Sequence, residues 1–134
     1  MALMGDASLA AVLLMTGLAA CERSATNQTF AEEASRLQRI TAPPGAHVVE
    51  RAPAARGPRR ATQEWRVAST RTWSEYAAAV SRGLGSKYEC AREARSFMTC
   101  ARSLPGDHFD LDLQAEESAS SGLVVRVRFT ARPD

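Results

Sequence analysis

The sequence predicts an α+β domain: a mostly antiparallel sheet with two helices on one face, in the order α-β-β-α-β-β-β-β. Three observations lead there. Two segments, starting at Thr29 and Thr72, carry apolar residues at helical spacing behind a capping-box pattern. The last third of the chain holds two long runs in which apolar and polar residues alternate, as half-buried strands do. Strong turn signals, Pro43-Pro44-Gly45 and Leu104-Pro-Gly-Asp107, punctuate the runs. Helices laid on one face of an antiparallel sheet satisfy that order.

The first helix begins at Thr29-Phe-Ala-Glu32, where Thr covers a backbone N–H and Glu reaches back. Phe30, Ala34, Leu37 and Ile40 follow on one stripe, and the Pro-Pro-Gly turn ends the helix. His47 to Ala52 reads as a strand centred on Val48 and Val49, and Pro53 to Arg60 as a turn-rich loop. Gln63 to Thr70 sets Trp65, Val67 and Ser69 against Glu64, Arg66 and Ala68, a half-buried strand.

The second helix starts with Thr72-Trp-Ser-Glu75, with Trp73, Tyr76, Ala77, Val80 and Leu84 facing the core. Gly83 is the candidate left-handed residue that closes it. The two helix starts match at an offset of 43: Thr29/Thr72, Phe30/Trp73, Glu32/Glu75, Ala34/Ala77, Leu37/Val80 and Arg39/Arg82. Shared helix grammar accounts for much of this; duplication of a helix-plus-two-strands unit is the alternative.

Tyr88 to Glu93 and Phe97 to Leu104 form a hairpin whose loop is Ala94-Arg95-Ser96, with Cys90 opposite Cys100. Phe109, Leu111, Leu113 and Ala115 then alternate with acidic and amide residues, and Leu123, Val125, Val127, Phe129 and Ala131 with Arg126, Arg128 and Arg132. A connection of Glu117 to Ser121 places Phe109 opposite Phe129, Leu111 opposite Val127 and Leu113 opposite Val125. On the other face Asp110 meets Arg128 and Asp112 meets Arg126. One face is then a core face for the helices, and the other is charged and solvated.

The front of the chain has a different character. Ala7 to Ala20 is 14 residues without a charge. It is too short to span a bilayer as a helix but suits the apolar core of a secretory signal. Leu18-Ala-Ala-Cys21 closes it and the polar Glu22-Arg23-Ser24 follows. This stretch resembles the lipobox of bacterial lipoproteins. It departs from that family in having no Lys or Arg before the apolar run, where Asp6 stands instead. The resemblance implies that residues 1–20 are a signal peptide, that Cys21 is acylated, and that 21–26 is a tether to a single domain over 27–134. It also implies a lipid-anchored protein of the cell envelope. Glu22 after the Cys goes with sorting to the outer membrane in that family, which puts the domain on its periplasmic face.

The chain has 134 residues, 17 basic against 15 acidic, and a formal charge of +2. Cleavage after Ala20 leaves 114 residues, one domain's worth, able to bury roughly two thirds of its unfolded surface. The balance is too mild to argue for nucleic acid. All the basic residues but Lys87 are Arg, which fits a GC-rich genome. Export would leave Cys90 and Cys100 in an oxidising compartment, where such pairs are usually bridged. A metal site is the alternative, but it needs further ligands at short spacing, and His47 and His108 are not so arranged.

The sequence contains no glycine-rich phosphate loop, paired-His metal motif or Ser-centred elbow. Asp107 and His108 are strand neighbours and point to opposite faces. Asp110, Asp112 and Glu116 share a face and suggest acid/base work or a hard cation, but ion pairing with Arg126 and Arg128 accounts for them. Arg51, Arg56, Arg59 and Arg60 are candidate contacts to an anionic partner or lipid headgroups, or a solvated hairpin loop. Trp65, Trp73 and Tyr76 line either a groove or the core. These readings give a non-enzymatic binding or scaffolding module, with no cofactor and no metal, that meets the membrane through its anchor. A small inhibitor of a cell-wall or proteolytic enzyme is the alternative.

Overall fold

A computed structural model describes residues 29–116 and 122–133. The expected signal peptide, Cys21, the 21–26 tether and the 117–121 connection lie outside the described residues. The chain divides into two units, Met1–Glu33 and Ala34–Asp134. Residues 29–40 are helical (α1). Those up to 33 belong to the first unit, and the architecture below is that of the second. Thr29 is itself helical, so it is not the residue before the helix that the capping pattern expects.

After α1 come β1 (Ala46–Arg51), β2 (Ala55–Arg56), β3 (Ala61–Ser69), α2 (Trp73–Leu84), a 3-10 turn (Gly85–Lys87), β4 (Glu89–Ala94), β5 (Phe97–Leu104), β6 (Asp107–Glu116) and β7 (Leu123–Pro133). The seven strands form one sheet, ordered β1-β3-β7-β6-β5-β4, with β2 also on β3. Every pairing is antiparallel. The α+β class and the element order are those the sequence predicts. β2 is an addition within the expected loop. After Arg51 the chain keeps to β3, with the Ala52 N–H donating to the Glu64 carbonyl. It turns only at residues 57–60, where the Gly57 N–H reaches the Arg60 carbonyl at 2.7 Å.

One sheet face is apolar throughout. Trp65 and Val67 of β3, Val125, Val127 and Phe129 of β7, Phe109, Leu111 and Leu113 of β6, and Met98 and Cys100 of β5 are all buried. Ala34 and Leu37 of α1 and Tyr76, Ala77, Val80 and Leu84 of α2 are buried too. The helices share a hub at Thr41. Its hydroxyl accepts from Trp65 Nε1 at 2.9 Å, and its carbonyl accepts from the Tyr76 hydroxyl at 2.7 Å. Burial pushes the Tyr76 phenol above its ordinary range, so it stays a donor.

Local chemistry sets the ends of α2. The Thr72 hydroxyl accepts from the Glu75 N–H and donates to the Glu75 carboxylate at 3.0 Å, as the capping pattern predicts. At the other end the expectation for Gly83 fails. The helix runs through it to Leu84, and Gly85, at φ +66°, is the left-handed residue. Gly83 is needed for another reason: a Cβ there would stand 3.0 Å from Ile40 Cγ2, so α1 and α2 meet closely at this point.

The register of the last hairpin also needs correction. Leu111 faces Phe129, Leu113 faces Val127 and Phe109 faces Ala131, two residues from the expected pairing. A two-residue slip leaves every side chain on its face, so alternation cannot detect it. Gly122, at φ +102°, lies just before β7, and Glu116 pairs with Val124.

Candidate functional site

Both helices cover the apolar face, so the opposite face of the sheet is open. Its polar side chains arrive by strand alternation and interlock across strands. Arg128 Nε donates to Glu64 at 2.8 Å, from β7 to β3. Glu116 takes Arg126 Nε at 3.0 Å and Arg66 at 3.4 Å, and Arg66 also meets Glu50 at 3.4 Å. Arg132 Nε donates to Asp110 Oδ2 at 3.2 Å. The expected pairs of Asp110 with Arg128 and Asp112 with Arg126 do not form, because the two-residue slip moves each arginine along.

Asp110 has a second contact. Its Oδ1 lies 3.0 Å from His108 Nε2, and His108 Nδ1 lies 3.3 Å from Ser103 Oγ. The turn explains the second distance: Pro105 and Gly106 (φ +82°) put Ser103 opposite His108. Spacing explains the first, since residues two apart on a strand share a face. A His-x-Asp pair on one face of a strand is therefore legible in the sequence from the two-residue period alone. A Ser–His–Asp chain matches the roles of nucleophile, base and orienting group. Here, though, the carboxylate is on the same strand as the imidazole and is held by Arg132, and the chain lies on an open face. Its evident effect is to fix the His108 ring.

Asp112 is the odd member of this face. It pairs with Arg128 across the strands, yet Arg128 Nε is committed to Glu64. Among the described residues no cation is within ion-pair distance of Asp112. Partial burial raises its pKa above the usual 3.8, the charges of Asp110 and Glu93 add to that, and Arg128 pulls the other way. Asp112, Asp110, Glu64, Arg60, Arg128 and Arg132 border a shallow hollow of about 460 Å³.

The four arginines singled out from the sequence do not converge. Arg60 lines this hollow. Arg51 lines another, between α1 and β1. Arg56 sits in β2 opposite Ala61, and Arg59 in the 57–60 turn. Of the three aromatic residues, Trp65 and Tyr76 are core, while Trp73 is half-buried with its ring 6.1 Å from that of Tyr76. The buried Thr41 anchors both, and nothing in its local sequence pattern marks it.

Cys90 and Cys100 stand opposite each other in β4 and β5 and are disulfide-bonded, with Cα atoms 4.0 Å apart. The hairpin closes on Arg95-Ser96 alone. Ala94 pairs with Phe97, and the third residue of the expected loop is absorbed by an irregularity between Arg92 and Ala94. Among the described residues there is no group of three or more His, Cys, Asp or Glu that could hold a metal ion, and no helix long and apolar enough to cross a membrane. No family model, curated protein or solved structure matches the chain.

Proposed function

We propose that this chain is a lipid-anchored protein of the cell envelope, on the periplasmic face of the outer membrane. Its α+β domain serves as a non-enzymatic binding or scaffolding module. Attachment is through Cys21, on the strength of the Leu18-Ala-Ala-Cys21 motif behind an uncharged run. The observation that carries the binding role is the open sheet face. It spans β3, β7 and β6, and a partner there would meet a fixed array of charges. Such an array gives orientation and selectivity more than raw affinity. Val49 is the only exposed large hydrophobic residue among those described, so the contact is polar and not an apolar patch.

One observation favours inhibition of an enzyme as a second reading. Ala91 to Ser96, the end of the β4–β5 hairpin, is exposed along its whole length and braced by the disulfide. Photo-crosslinkers at Thr130 (open face), Arg95 (hairpin end) and Glu75 (helix side), used in intact envelopes, separate the readings. Crosslinks from Thr130 alone support the module. Crosslinks from Arg95 alone favour the inhibitor, and equal capture from all three positions defeats both. A palmitate analogue should label the wild type and not Cys21→Ser; equal labelling would defeat the anchor.

A further inference from the structure

We propose that the hollow between the flank of α1 and the edge strand β1 is a binding site for the phosphate of a phosphoester. It lies apart from the open charged face and does not depend on the role given to that face. The hollow measures about 530 Å³. Arg39, Gln38 and Ser35 border it from α1, and Arg51 from β1, with Ala42, Ala46 and Val48 between them. His47 also borders it, but pairs with Ala68 and so falls on the opposite pleat from Val48 and Arg51.

The charge balance points to an anion. Two guanidiniums border the hollow and no carboxylate does. Among the described residues neither Arg39 nor Arg51 has an acidic partner, whereas Arg66, Arg126, Arg128 and Arg132 all do. The nearest acid in β1, Glu50, is turned to the other face, where it meets Arg66.

The donor set points to phosphate among anions. Two planar forks, an amide and a hydroxyl supply more donors than the two oxygens of a carboxylate can accept, and a phosphate presents more oxygens. Because β1 is an edge strand, alternate backbone N–H groups also face outward there. The hollow falls within the size range of pockets for whole small molecules, roughly 300–1,000 Å³. The phosphate is therefore one group of a larger ligand, whose remainder rests on Ala42, Ala46 and Val48. A lipid headgroup and a soluble phosphoester share this chemistry.

The test uses the full chain with Cys21→Ser, so that no acyl chain holds it to a membrane. Inorganic phosphate and glycerol 3-phosphate are titrated calorimetrically, and flotation is measured with phosphatidylcholine vesicles with and without phosphatidylglycerol. Arg39→Gln and Arg51→Gln should each weaken binding by about tenfold or more, the usual effect of losing a charge-assisted contact. Arg39→Lys should recover part of it, since an ammonium keeps the charge but not the fork. Arg95→Gln, an equal change of net charge on the β4–β5 hairpin at the opposite edge of the sheet from β1, should alter binding by less than about twofold. Saturable binding of the soluble phosphates with this pattern identifies a soluble phosphoester as the source. The same pattern seen only with phosphatidylglycerol vesicles identifies a lipid headgroup. Binding of neither probe overturns the proposal, and so does equal weakening by Arg95→Gln. All three arginines are exposed, so the variants should keep the circular dichroism of the parent.

Discussion

The two faces of β3, β7 and β6 are made from alternate residues of the same strands, yet they work under different rules. On the helix side Trp65, Val67, Val125, Val127, Phe129, Leu111 and Leu113 are at most 1% exposed. On the open side the ion-paired groups keep water. Arg128 and Glu64, for example, retain 51% and 42% of their side-chain exposure. Burial of an apolar side chain contributes roughly 1.5–3 kcal/mol, whereas an exposed ion pair contributes about 0–1. One face therefore fixes the fold, and the other is free to take the charges that a partner requires.

The most damaging change should fall in the apolar layer. Phe129 packs edge to face on Phe109, with ring centroids 5.4 Å apart. Phe129→Ala should cost about 3–5 kcal/mol, and Leu111→Ala about 2–5 kcal/mol, from lost burial plus the cavity left behind. Urea denaturation measures both. A loss below about 1 kcal/mol for Leu111→Ala would break the division of labour between the faces.

Next in size is the Cys90–Cys100 bridge. It closes a short loop, for which chain entropy gives about 2–3 kcal/mol. The Cys90→Ser/Cys100→Ser double variant should lose that much, and the wild type should lose as much on reduction with dithiothreitol. Cys100 belongs to the buried layer, so the bridge ties edge strand β4 to the core side of the sheet.

The same two-faced construction governs what could be read from the sequence. Alternation identifies the faces of β3, β6 and β7 because each face has one environment. The turns at Pro105-Gly106 and Arg95-Ser96 make β4, β5 and β6 neighbours, whereas the place of β3 beside β7 is set by long-range pairing that no local signal encodes. Register is another matter. Pairings that differ by two residues bury the same side chains, so alternation does not encode the choice between them. The charged pairs then move with the register, so Asp112 loses its expected partner. Gly83 and Gly85 show a similar limit: both are glycines near a helix end, and only the approach of Ile40 assigns their roles. The hollow between α1 and β1 joins Arg39 to Arg51 by tertiary packing, and no spacing rule connects them.

On the open face the expected effects are small. A double-mutant cycle on Glu64→Gln and Arg128→Gln should give a coupling of about 0.2–1 kcal/mol, as exposed pairs do. It should shrink as salt is raised, because the Debye length falls to about 3 Å at 1 M. A larger coupling that ignores salt would mean that this face is covered in the protein as it exists in solution.

Asp112→Asn should have the smallest effect and the opposite sign. A carboxyl with a higher pKa in the folded than in the unfolded chain binds its proton more tightly when folded. Its ionised form therefore opposes folding, fully so above the folded pKa. As pH falls through the folded pKa toward the usual 3.8, wild-type Asp112 takes up its proton and the penalty disappears. At pH 7 the asparagine variant should thus equal or exceed the wild type, by less than about 1 kcal/mol given how much solvent reaches the site. Below about pH 4 the two should coincide. Urea midpoints for both proteins across that range measure the difference. If the variant were the less stable at pH 7, the Asp112 carboxylate would be in a favourable contact with a cation or a bound group, and the open face would be an occupied one.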